Sequence, residues 1–149
     1  MKIKQIVIIV LGGLIAMYLI NTLYQVLQIS AFNPPMKEYN FTLSSNKLLR
    51  KLKHVDENDS TIILKIKDTT GSTETGLKYY ADINLKQDTA TYTFNFFIKE
   101  SKKGDSKLGL VGAFDNIHNL GGYNKQDKEM KSLINIFETQ IVTKINYTP

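Results

Sequence analysis

The chain has no cysteine. That excludes disulfides, thiolate nucleophiles, iron–sulfur clusters and cysteine-based zinc sites. It leaves the redox compartment open, since a cysteine-free domain suits an oxidising or a reducing space equally. Histidine is scarce too. His54 and His118 are the only two, far apart and outside any ligand-spaced cluster, whereas structural zinc takes about four N or S ligands and catalytic zinc about three. No metal and no cofactor is expected. Arginine occurs once, as Arg50. Proteins that read nucleic acid rely on arginine's planar fork, so nucleic acid is not an expected partner. The glycine pairs Gly109-x-x-Gly112 and Gly121-Gly122 fit neither the dinucleotide fingerprint nor the P-loop, and no G-x-S-x-G elbow occurs. No catalytic residue is assigned, and the chain reads as a non-enzyme.

The longest absence is of charge. Between Lys4 and Lys37 no side chain is charged. Ile6–Leu27 is 22 residues long; as a helix it measures about 33 Å, against a hydrocarbon thickness of about 30 Å. Residues 1–32 therefore read as an N-terminal membrane anchor, a signal-anchor, with Ile6–Leu27 in contact with lipid. Tyr18 and Tyr24 suit a membrane interface, and Gly12-Gly13 is tolerated in membrane helices. A cleaved signal peptide is the rival. Its best cleavage site, Ile29-Ser30-Ala31, has a bulky residue where a small one is wanted. A soluble core helix is the third alternative. A pilin-like start would carry a glutamate just inside the apolar run, and none is present.

Lys2 and Lys4 set the expected orientation. Positive residues stay inside, so the N-terminus is cytoplasmic, the protein single-pass, and the following domain periplasmic or extracellular. Asn33-Pro34-Pro35 ends the apolar helix, because neither proline continues it. Residues 33–38 read as a stiff spacer. Beyond Lys4 the chain carries 17 basic and 14 acidic side chains, a net +3. Such a mixed surface reads first as solubility, with weak attraction to anionic surfaces.

Residues 39–149 read as one α+β domain: an antiparallel sheet of four to five strands packed by two helices. Tyr39–Leu43 alternates as a first strand. In SNKLLRKLKHV, Leu48, Leu52 and Val55 form an amphipathic stripe with Ser44 or Ser45 as cap, and HVDENDS is expected to break the helix. TIILKIK, LKYYADINL and ATYTFNFFI alternate as strands. Leu77, Tyr79, Ala81, Ile83 and Leu85 are expected on one face, Lys78, Tyr80, Asp82 and Asn84 on the other. Lys86-Gln87-Asp88-Thr89 reads as a tight turn. Gly109 and Gly112 in LGLVGAF suggest a bulge or close packing. DNIHNLGGYN reads as a loop. Asn124 is expected to cap a last helix whose apolar face is Met130, Leu133, Ile134, Phe137, Ile141 and Ile145.

Four groups are candidates for binding. Tyr80 and Phe97 fall on the outer face by parity and would anchor a partner if that face is open. Asp115 and His118 share a glycine-rich loop; with a serine they would resemble a hydrolytic triad, but nothing identifies a nucleophile. A binding loop, or a plain connection, fits them better. Lys47, Arg50 and Lys51 form a basic helix face suited to anionic headgroups or an acidic protein, or simply to solvent. Asp56-Glu57-Asn58-Asp59 lacks the glycine and distal glutamate of a calcium loop. The expected function is a membrane-anchored extracytoplasmic binding domain with a protein partner; one form is a bacterial envelope immunity protein that blocks a toxin by contact. The alternative is a bitopic assembly subunit of an envelope or secretion complex, with Gly12, Gly13 and Ala16 forming a close-packing helix face.

Overall fold

A computed structural model describes residues 15, 17, 18, 34–69, 76–101 and 104–147. The chain divides into two compact units, Met1–Asn33 and Pro34–Pro149. In the first, Ile15, Met17 and Tyr18 are helical and exposed. The rest of the expected anchor lies outside the described residues. Among the described residues, no helix is long and apolar enough to cross a membrane.

The second unit is an α+β fold. Strand β1 (Lys37–Phe41) is followed by helix α1 (Ser45–Asn58), then β2 (Ile62–Asp68), β3 (Leu77–Gln87), β4 (Ala90–Glu100), β5 (Ser106–Asp115) and β6 (Leu120–Gly122). A helical segment closes the order: α2 (Met130–Phe137), a π turn (Glu138–Val142) and α3 (Thr143–Tyr147). The strands form one antiparallel sheet in the order β1-β5-β4-β3-β2, with β6 also pairing β5. It has six strands among the described residues, against four to five expected, because β6 forms inside the segment read as loop. The first strand begins at Lys37, before the expected Tyr39, and Met36 is already tied to it by its N–H donating to the Leu110 carbonyl at 2.7 Å.

Both helical segments cover the same face of the sheet. Leu48, Leu52 and Val55 from α1, and Met130, Leu133, Ile134, Phe137, Ile141 and Ile145 from the last segment, join Phe94, Phe96, Ile98, Ile83, Leu108 and Leu110 in one core. The expected last-helix face is buried in full. Phe137 sits at its centre, with its ring centroid 5.1 Å from Phe94, 5.8 Å from Tyr39 and 6.4 Å from Phe96.

Several local expectations are corrected. Helix α1 runs through HVDEN to Asn58, where the Asn58 amide donates to the His54 carbonyl at 2.7 Å. Ser44 occupies the N-cap position of α1 without a side-chain cap bond. Asn124 does not cap α2: its side chain instead accepts from the Gln126 N–H in a turn, and α2 starts at Met130. Leu77 lies on the outer face. A bulge at Lys78 shifts the register between Leu77↔Lys99 and Tyr79↔Ile98, and one extra residue sends the next side chain to the other side. The bulge expected near Gly109 and Gly112 is present: Asn95 pairs Gly112 while Phe96 pairs Leu110, so Val111 is the extra residue.

Candidate functional site

Helical spacing builds the first site. Lys47, Arg50, Lys51 and His54 recur at i, i+3, i+4 and i+7, which stacks them on one face of α1. They line a single surface depression. The buried side of the helix carries Leu48, Leu49, Leu52 and Val55 instead. The helix's acids, Asp56 and Glu57, are confined to its last turns, where the Asp56 carboxylate accepts the Leu64 N–H at 3.1 Å. Lys47, Arg50 and Lys51 thus lie together on one side of α1.

Asp115 and His118 are also brought together, with His118 Nδ1 2.8 Å from the Asp115 carboxylate. The pair braces its own turn. The other Asp115 oxygen accepts the N–H of Ile117 at 3.0 Å and of His118 at 3.1 Å. The bond from His118 holds the Asp115 carboxyl below the usual carboxylate range, burial opposes it, and the two backbone bonds add to the lowering. The turn carries Asn119 at φ 54° into β6. This carboxylate is occupied on both oxygens and braces the turn, while the His118 side chain remains largely exposed.

The outer sheet face holds a third set, in which the expected candidates Tyr80 and Phe97 are joined by a polar group that the sequence reading did not mark. Tyr80 pairs Phe97 and Asp82 pairs Asn95 across β3 and β4. Asp82 is buried, accepts from the Asn95 amide at 2.7 Å and meets Lys67 at 3.0 Å. Next to it, Thr93 donates to Asn84 at 2.8 Å and Asn116 donates to Thr93 at 2.8 Å. Tyr123 stacks edge-on against Phe114 at 5.2 Å and is about half exposed. Burial pushes the Tyr80 phenol above its ordinary value, with the nearby Tyr123 and Asp82 adding to the shift. The two candidates on this face part company. Tyr80 is half-buried, but Phe97 is 1% exposed. Its ring lies on Gly109, where an added Cβ would stand 2.2 Å from Cζ. Phe97, Leu77 and Val111 form a small second core with Tyr80 packed against it. The tight turn at Asp88-Thr89 sets the partners across the hairpin as far as Tyr79↔Ile98, and so pairs Asp82 with Asn95, but Lys67 comes from another strand.

A cleft of about 620 Å³ runs between the start of β1 and α2, with Lys37, Glu38, Lys125, Lys131 and Glu138 among its lining. Glu138 is engaged there by Lys37 and by the Tyr39 hydroxyl, which donates at 3.1 Å. Burial, then Glu138, pushes the Tyr39 phenol far above its ordinary value, so it remains a donor. Among the described residues no three His, Asp or Glu side chains are grouped to hold a metal ion. No family model, no curated protein and no solved structure matches the chain.

Proposed function

We propose that the protein is a membrane-anchored binding domain: Ile6–Leu27 stays in lipid, the N-terminus is cytoplasmic, and Pro34–Pro149 works outside by contact with a protein partner. The observation that carries this reading is the run without charge from Lys4 to Lys37 leading straight into a compact domain. On the domain, the outer sheet face offers Tyr80 and Tyr123 beside the Asp82–Asn95–Lys67 network. Tyrosines around a fixed polar centre are common contact anchors. An envelope immunity protein that blocks a toxin is one concrete form of this function.

The test is photo-crosslinking from position 123 in the full chain, in membranes. A single cross-linked protein species that disappears on Tyr80→Ala supports the reading; no protein adduct in repeated extracts contradicts it. Alanine at both Asp115 and His118 should leave the phenotype intact, and loss of a turnover with the fold unchanged would replace contact by catalysis. The second reading, an assembly subunit, draws on Gly12, Gly13 and Ala16 as a close-packing face. Exchanging the apolar run for an unrelated spanning helix keeps activity under the first reading and abolishes it under the second.

A further inference from the structure

We propose that the basic stripe of α1, Lys47–Arg50–Lys51 with His54, docks on anionic lipid headgroups and so fixes how the domain faces its membrane. The inference rests on the anchor reading above, and adds a surface and a ligand to it. Three features of the chain lead there. The stripe is a built feature of a 14-residue helix whose other side is locked into the core by Leu48, Leu52 and Val55, so the cations are held in a row. Acids are absent from the turns bearing Lys47 and Arg50, and Asp56 in the last stretch is already engaged by Leu64. Tether length supplies the third. Gln28–Met36, nine residues, join Leu27 to β1; at about 3.3–3.6 Å per residue they span at most roughly 30 Å. A tethered basic surface meets headgroups at high effective concentration.

The magnitudes favour a real bias. Basic side chains near an anionic leaflet shift the equilibrium by roughly thirtyfold for two of them, Lys47 and Arg50. A free domain would gain little from that, but a tethered one need only choose its orientation. Phosphate is the recognised group. Arg50 binds it through a planar fork, the lysines as point charges.

The experiment exploits the cysteine-free chain. A single Glu57→Cys, exposed on α1 one turn beyond His54, carries a fluorophore. Full-length protein is placed in nanodiscs of phosphatidylcholine alone, or of phosphatidylcholine and phosphatidylglycerol in equal parts, each doped with a headgroup quencher. Several-fold stronger quenching is expected in the anionic discs. It should fall to the neutral level at about 1 M salt, where the Debye length shrinks to about 3 Å. It should also be lost in Lys47→Gln/Arg50→Gln/Lys51→Gln, and in the Glu counterpart, with the melting temperature checked for both. Equal quenching in the two discs, or a gain that survives the charge variants, overturns the inference. Binding to polyglutamate without any response to phosphatidylglycerol does so too, and assigns the stripe to an acidic protein. If the chain fails to enter discs at all, the anchor reading fails. Cosedimentation with vesicles of the same two compositions then decides the stripe separately: salt-sensitive binding to the anionic vesicles alone supports it, and no binding sinks it.

Discussion

Gly109 shows how much one missing side chain decides. A strand glycine normally weakens a sheet. Here it lets the end of the Phe97 ring from β4 close onto β5 and become buried on a face that no helix in the core cluster covers. Sequence parity put Phe97 on that face correctly, but its burial depended on a glycine twelve residues away across a ladder, which alternation does not report. Gly109→Ala places a methyl into the ring, and overpacking of that kind costs about 1–3 kcal/mol; a thermal melt should show the loss, and Phe97→Leu in the same chain should recover part of it. Asp59 makes a second residue-scale point. It follows α1 and binds Lys144 from α3, and that bond, with those from Thr61, lowers its carboxyl from 3.8 to about 2. A depressed carboxylate stabilises the fold above its unfolded value and loses that contribution as pH falls through its folded one. With both partners partly in solvent, Asp59→Asn should cost about 1 kcal/mol near neutral pH. The difference from the parent should vanish between about pH 4 and pH 2. A cost that persists unchanged at pH 2 would mean the carboxylate's charge is not the cause.

At the scale of elements, what was legible is what local pattern controls. The turn at Asp88, with φ 51°, fixes the β3–β4 pairing outward as far as Tyr79↔Ile98. Beyond it the Lys78 bulge resets the register, and no residue type announces that bulge, so Leu77 is misplaced by alternation alone. The i, i+3, i+4, i+7 spacing made the α1 basic stripe visible. It could not show that α1 absorbs HVDEN, because Asp56 and Asn58 stabilise that end through bonds to Leu64 and His54 that form only on folding. The last helical segment carries its own signature. Phe137, Ile141 and Ile145 are four apart, and a plain α-helix of about 3.6 residues per turn would carry such a row steadily off the core. The π turn at Glu138–Val142 takes up the excess, with Thr139 donating to the Asn135 carbonyl at 3.0 Å. A π turn is one residue inserted in an α-helix. Deleting Thr139 should therefore leave stability within about 1 kcal/mol, since the row becomes a regular three–four stripe. Deleting Ser132 from the regular turn should rotate Leu133 or the residues beyond off the core and abolish the cooperative melt. Equal damage from both deletions would remove the argument. The Asp115 turn makes a related forecast: Asp115→Asn should speed amide exchange at Ile117 and His118 while leaving β3 and β4 protected, read by hydrogen exchange.

For the whole molecule, the domain's α+β architecture follows from composition and alternation, because a one-sided apolar sheet needs helices over it. The two helical segments do cover one face, and the core centres on Phe137. Phe137→Ala should cost about 3–5 kcal/mol. Against a total stability of about 5–15 kcal/mol, that is enough to thin the folded population seen by calorimetry. What the hairpin turn alone does not report is the polar centre at Asp82, since it also needs Lys67 from β2. The proposed role depends on one placement: the uncharged run in lipid and the domain on the far side. The cysteine-free chain allows that placement to be read directly. Thr89→Cys, on an exposed turn, and Lys2→Cys are expressed separately in intact cells and treated with a membrane-impermeant maleimide. The account predicts labelling at 89 in intact cells, and at 2 only after permeabilisation, with both proteins in the membrane fraction. Labelling at 2 with protection at 89, or recovery of the uncleaved chain in the soluble fraction, would contradict it.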